Sequence, residues 1–470
     1  VTPTPAGLPA ATVEGRIPSL LEPQLLAGQL HWLEQRPDQQ GRTTLMRRPF
    51  RGPTGEDAAS PPAEELTPGG WNLRSRIHGY GGGACCLGLV DGQTIAVFVD
   101  DRDRCLWRLD LGPAGAPLQE PRRLTGPAPR AFGGGLIDAR RQRWIGVMEA
   151  DGRDQLVAVA LQGGEPLTLH QAADFCGDPA LSPRGSHLAW VEWQQPHLPW
   201  ERSQLWLGCF GSDGDGGAGL GAGLAACRPV AGSDNGSKAA ISVFQPIWLG
   251  AGSPDPTVPG TAALAKEGAS PSAPAPSSTV GLPPAALLMA SDRSGWWNLE
   301  CLGAAEALTA ADLEPKGRTG PSSAHSADGG VGGDGNGDCD GDGKGAQTQP
   351  PPAIDGPPLP WQPLLPMEAE FATPQWVLGL STTAWDGTQL VATACVGGRW
   401  QLGRIDWPHP PGQGPGPAAD RATNPAHPNR AYPYRAYPNP AVPAPAARWI
   451  PFDLPFSDFS GLCAENGSLA

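Results

Sequence analysis

A two-strand hairpin recurs six times in this sequence, and that repeat limits the folds open to the chain more than any other feature. QLHWLEQ (29–35) is followed by PDQQGR and then TTLMRR (43–48). TIAVFV (94–99) is followed by DDRDR and CLWRLDL (105–111). The same design returns in RQRWIGVM (141–148) with QLVAVAL (155–161), and in SHLAWVEW (186–193) with SQLWLG (203–208). It returns again in AALLMA (285–290) with WWNLECL (296–302), and in TQLVATAC (388–395) with RWQLGRI (399–405). Each run alternates apolar and polar residues, and each turn is rich in Asp, Gly or Arg, which reads as a β-hairpin. Helical periodicity is weak throughout. Uninterrupted neighbours repeat every ~46 to 51 residues, the period of a propeller blade. One blade cannot bury both of its faces, so blades stack around an axis. A β-sandwich would leave the period unexplained. The expected fold is all-β: a β-propeller of six recognisable blades plus an incomplete seventh. Trp107, Trp190, Trp206, Trp248, Trp297 and Trp400 are expected to pack between blades.

Composition locates the interruptions. The chain carries 65 Gly and 56 Pro, near the level of low-complexity sequence, yet also 17 Trp, which a disordered chain rarely holds. Four stretches read as long insertions: about 211–240, 251–286, 317–360 and 408–447. Their Gly, Pro, Ala and Ser cannot bury enough apolar surface to offset the entropy of ordering. The expected organisation is a leader over 1–23, blades over 24–407, a Pro/Ala-rich insertion over 408–447 and the start of a last blade over 448–470.

Charge and patterning narrow the partners. A net charge of −14 with no Lys/Arg block argues against nucleic acid. The longest apolar runs are too short to span a bilayer, and the first residues lack the basic and apolar parts of a secretory signal. A cytoplasmic location is expected. The 10 Cys are scattered without C-x-x-C, so neither a zinc site nor a disulfide framework is indicated.

Specific segments resemble a known family. WNLRSRIHGYGGGA (71–84) is similar to the N-terminal blade segment of bacterial prolyl oligopeptidase-family serine peptidases, of the acylaminoacyl-peptidase or dipeptidyl-peptidase-like group. The family string there is close to N-V-R-T-R-V-H-E-Y-G-G-G. DPALSPRGSHLAWVEW (178–193), HLPWERSQLWLG (197–208), SVFQPIW (242–248), SDRSGWWNLE (291–300) and AEFATPQWVLGLST (369–382) extend the likeness in the family's order. The resemblance implies a propeller that admits short peptides to an α/β-hydrolase domain or subunit. Gly79 departs from it, standing where the family usually has Glu.

No hydrolase machinery is legible in the 470 residues. G-x-S-x-G, which sets a nucleophilic Ser on a strained strand-to-helix turn, is absent. The nearest start, Gly379-Leu380-Ser381, has Thr383 in the place of the last Gly. The chain alone is therefore expected to be inactive, as the propeller part of a peptidase. A stand-alone propeller serving as a binding scaffold is the alternative. Gly81–Gly83 and Gly133–Gly135 lack the Lys and the strand–loop–helix frame of a phosphate loop; they read as places where backbone passes close to the axis. Arg74 and Arg76, two apart, share a strand face. With His78 and Arg293 they are the candidate channel-lining or substrate contacts, against the plainer reading of ion pairs and packing. Asp338, Asp340 and Asp342 open like an EF-hand loop, but Gln349 stands where a bidentate Glu is needed, which leaves a weak calcium candidate. No cofactor is expected.

Overall fold

The computed structural model describes residues 17–50, 61–113, 115–211, 223–233, 240–250, 284–314, 358–407, 447–465 and 467–470. They form six antiparallel sheets arranged in a ring as the blades of a β-propeller. Blade 1 comprises Ser19–Leu26, Gln29–Arg36, Arg42–Pro49 and Glu64–Glu65. Blade 2 comprises Cys85–Val90, Gln93–Val99, Leu106–Leu111 and Arg122–Arg123. Blade 3 comprises Arg130–Asp138, Arg143–Ala150, Arg153–Ala160 and Leu167–Gln171. Blade 4 comprises Phe175–Leu181, His187–Trp193, Gln204–Phe210 and Leu224–Gly232, and blade 5 Val243–Leu249, Ala286–Ser291, Asn298–Leu302 and Gln362–Pro363. Blade 6 comprises a split first strand (Ala369–Glu370 and Thr383–Trp385), then Leu390–Val396, Arg399–Asp406 and Arg448–Pro451. The first strands of successive blades lie side by side around the axis.

All six hairpins read from the sequence are the central pairs of the blades; Trp190 stands opposite Trp206, for example. Alternation survives best in Gln29–Arg36. In Gln204–Phe210 and Ala286–Ser291 every residue is buried, because neighbouring blades cover both faces of the sheet. Five apolar clusters fill the seams from blades 1 and 2 through to blades 5 and 6. Trp190 and Trp206 pack between blades 3 and 4, Trp248 between 4 and 5, Trp297 between 5 and 6, and Trp107 between 1 and 2. Trp400 belongs to none of these clusters and is half-exposed.

Two boundaries differ from expectation. Arg448–Pro451 does not open a further blade. It pairs with Arg399–Asp406 as the outermost strand of blade 6, so residues 408–447 fall between the third and fourth strands of one blade. Their length broke the sequence period and made the strand look like a new start. The span 211–240 contains the fourth strand of blade 4, where Val230 and Ala231 are buried. Its Ala- and Pro-containing sequence concealed it.

A two-stranded ribbon, Ala464–Glu465 with Ser468–Leu469, sits where blade 6 meets blade 1. The Glu465 carboxylate accepts the Ala27 and Gly28 N–H groups at 3.1 and 3.4 Å. The Leu462 N–H donates to the Ser381 carbonyl at 3.1 Å. The ribbon thus ties the last blade to the first.

Candidate functional site

The connection from blade 1 to blade 2 carries the first candidate residues to one face of the ring. Leu73, Ser75 and Ile77 point inward while Arg74 and Arg76 are exposed, as a two-residue period requires. Arg76 grips Asp101 with two bonds of 2.6 and 2.8 Å, and this guanidinium holds the Asp101 carboxyl below its usual range. The pair is at the surface, with side chains 43% and 17% exposed, so it contributes at most about 1 kcal/mol. Arg74 shares the face.

His78 follows in a left-handed conformation (φ 52°). Its N–H donates to Glu149 Oε2 at 2.8 Å, and its Nε2 lies 2.6 Å from Asp154 Oδ2. Asp154 is buried and also accepts the Cys176 N–H at 2.8 Å. Burial raises its carboxyl, and the His78 contact only partly opposes this. Phe175 and Trp193 meet the imidazole edge to face. The ring is therefore held by Asp154, Phe175 and Trp193, a packing and hydrogen-bonding histidine that still reaches the surface.

Beyond His78 the chain dives to the axis. Gly81, Gly82 and Gly83 all have positive φ (87°, 93° and 58°). Any Cβ on Gly82 would overlap the Leu378 backbone, and one on Gly83 would overlap that of Gly134. Glycine is required here by both conformation and space. Leu378 lies in residues 371–382, which separate the two halves of the split first strand of blade 6. It bridges to Gly82 in parallel fashion. A Cβ on Gly134 or Gly177 would come within 3.0 or 2.8 Å of the two Leu378 methyl groups. Leu378 of blade 6 thus touches the inner strands of blades 3 and 4, across the ring from its own blade. It closes the axis at this level and is buried among Ile77, Ala131 and Val147.

Three first strands carry a polar residue in left-handed conformation at a β-bulge: Glu22 (φ 50°), Asp178 (φ 51°) and Gln245 (φ 52°). Each reaches to a neighbouring segment at the axis. Glu22 accepts the Ala84 and Cys85 N–H groups at 3.1 and 3.2 Å. Burial outweighs those bonds and pushes its carboxyl up to about 7. Burial likewise raises Asp178 to about 6, with the Gln375 side chain and the Gly379 backbone beside it. Gln245 Oε1 accepts from the N–H and the hydroxyl of Thr382, both at 2.9 Å.

The same face is aromatic. Tyr80 (70% exposed) and Trp376 (57% exposed) stand out, with Leu198 and Trp296 also exposed. Trp200 of the blade 4 turn lies against Trp376, with ring centroids 4.3 Å apart. Arg293, in the blade 5 turn, is 3.4 Å from Glu300 of its own blade. Asp338, Asp340 and Asp342 lie outside the described residues.

The structure therefore gathers Arg74, Arg76 and His78 and holds Arg293 apart in blade 5. Sequence reasoning missed the axial residues. A signal was present: Glu22, Asp178 and Gln245 each precede a proline (Pro23, Pro179, Pro246) in the first strand of a blade. It also missed two histidine partners. Ser186 Oγ is 2.9 Å from His187 Nδ1, but His187 is buried and its Nε2 meets the Leu308 carbonyl, so the pair staples a turn. The second lies at His170, whose Nδ1 is 3.7 Å from Cys227 Sγ. Among the described residues no group of three or more His, Cys, Asp or Glu is arranged to hold a metal, and no helix is long and apolar enough to cross a membrane.

The chain matches no family model and no curated protein. It does match solved structures. A puromycin-hydrolysing peptidase of Mycobacterium tuberculosis superposes with TM-score 0.56 at 23% identity, over 86% of this chain and 46% of that one. A puromycin hydrolase superposes with TM-score 0.54 at 21% identity, over 83% of this chain and 45% of that one. Its S511A variant complexed with PGG gives the same values. The chain spans just under half the length of these proteins. It is a β-propeller, and its fold is the one these peptidases contain over the matched part.

Proposed function

We propose that these residues are the propeller part of a prolyl oligopeptidase-family serine peptidase acting on short peptides. In this reading they restrict access to a catalytic α/β-hydrolase domain or subunit and cleave no peptide bond themselves. The observation that carries the reading is the propeller match to a peptidase over 86% of the chain. The resemblance of segments such as 71–84 and 369–382 points the same way.

The closed axis supports an access role. A route along the axis meets Leu378 and the backbone of Gly82, so a peptide enters from the side, between the propeller face and the hydrolase. Arg74 offers a cation to the carboxylate of a short peptide on that face, beside Arg76, whose guanidinium is paired with Asp101. His78 and the exposed Tyr80 and Trp376 form the remainder of the surface that the hydrolase covers. Arg293 contributes by fixing the blade 5 turn that presents Trp296. The acylation chemistry needs an elbow serine, which these residues do not include, and no cofactor enters. The nine described cysteines are free thiols, which fits a reducing compartment such as the cytoplasm.

A fluorophosphonate probe tests this reading, applied to the purified chain and to the material it retains from its native extract. The expected result is no labelling of the chain and labelling of a retained protein of hydrolase size. Labelling of the chain itself would overturn the division of labour. A stable partner without probe reactivity would favour a binding scaffold instead.

A further inference from the structure

At the outer rim of the seam between blades 3 and 4, three side chains from three strands form a nucleophile–base–orienter series. Cys227 Sγ, on the fourth strand of blade 4, lies 3.7 Å from His170 Nδ1, on the fourth strand of blade 3. His170 Nε2 lies 2.7 Å from Glu192 Oε1, on the second strand of blade 4. The Trp190 indole N–H donates to that same Oε1 at 2.7 Å, which fixes the carboxylate. The imidazole is held against the Trp190 and Trp206 rings, with centroids at 5.1 and 4.8 Å. Cys227 stands opposite Gly208, where a Cβ would come 3.1 Å from the Cys227 Cβ, so the glycine leaves room for the thiol.

We propose that Cys227 is a reactive thiol served by His170 and oriented through Glu192, and that it is a site of oxidation by small hydroperoxides. A nucleophile whose base is itself oriented by a third group is the general signature of an activated side chain. Burial alone would lower the His170 pKa. The sulfur and the carboxylate on its two nitrogens more than offset this and raise it to about 10. A ring raised this far carries a proton at neutral pH, and its Nδ1 is the one that faces the sulfur.

The reaction balances without further components. The sulfur attacks one peroxide oxygen, the O–O bond breaks, and an S–O bond forms. The departing hydroxide takes the proton from His170 Nδ1 and leaves as water. Sulfur loses two electrons and the peroxide gains them, giving a sulfenic acid. The other described thiols are placed differently. Cys85, Cys86, Cys105, Cys176, Cys209 and Cys301 are buried. Cys395 and Cys463 are half-buried, as Cys227 is, but no histidine hydrogen bond is found at either among the described residues.

The test uses the intact chain with hydrogen peroxide below one equivalent, dimedone trapping and peptide mapping. Cys227 is expected to trap at least tenfold faster than any other cysteine. His170→Asn and Glu192→Gln should each slow it about tenfold, with unchanged near-ultraviolet circular dichroism. Iodoacetamide distinguishes mechanism from packing, because iodide leaves without a proton. His170→Asn should slow peroxide oxidation more than alkylation. Trapping at Cys227 no faster than at Cys395, or equal effects of His170→Asn on both reagents, would overturn the proposal.

Discussion

Leu378, from the last blade, lies against Gly82 and within reach of Gly134 on the far side of the ring. One side chain and a run of glycines thereby close the propeller axis. Shortening Leu378 to Ala should cost about 2–5 kcal/mol, the range for a buried leucine that leaves a cavity. Urea denaturation of Leu378→Ala measures this directly.

The glycines of the entering loop should divide into two classes. Gly79 has φ 75° with nothing near its missing Cβ, whereas Gly82 abuts Leu378 backbone. Gly79→Ala should cost about 1–2 kcal/mol, the left-handed penalty alone. Gly82→Ala should cost clearly more, because backbone cannot move aside as a side chain can. Comparison of the two melting curves checks the difference.

Glu22 should make stability fall with rising pH. Its folded value of about 7 lies above the ordinary 4.5, so the folded state binds the proton more tightly. Its contribution is greatest below pH 4.5 and is lost as pH rises towards 7, by at most about 3 kcal/mol. His31 acts oppositely: burial lowers it to about 4, so its neutral ring favours folding above pH 6.5. The Glu22→Gln variant isolates the first effect. Gln245 shows that an amide oxygen serves the same kind of bulge. Relative to wild type, Glu22→Gln should gain stability between pH 5 and pH 8, measured by urea midpoints.

Asp138 is buried and holds two arginines, with Arg141 Nη1 at 3.2 Å and Arg143 Nε at 3.0 Å. Both guanidiniums lie over the Phe210 ring of the next blade. Asp138→Ala removes a buried carboxylate that bridges two buried guanidiniums and should cost about 3–5 kcal/mol. Arg76→Ala, by contrast, should shift stability by less than about 1 kcal/mol, since its pair is at the surface. Denaturation of both variants side by side tests the contrast.

The hairpins were legible because two central strands per blade keep uninterrupted apolar runs whatever surrounds them. The outer strands were harder to read. Leu224–Gly232 and Arg448–Pro451 need only pair along one edge, so their composition is freer and insertions displace them from the period. Arg74 and Arg76 are both exposed between the buried Leu73, Ser75 and Ile77, a two-residue alternation that is visible in the sequence itself. Leu378 was not foreseen because its partners are three glycine segments far apart in sequence, joined only by ring closure. The Cys227–His170 contact was hidden for the same reason, spanning two blades.

Hydrolysis of short chromogenic peptides tests the central claim most directly. It would be measured for the purified chain, for the chain with its retained serine hydrolase, and for that assembly carrying Tyr80→Ala with Trp376→Ala. The account predicts no turnover by the chain alone, turnover by the assembly, and at least a tenfold loss in the double variant. Turnover by the purified chain, or full activity in the double variant, would contradict it.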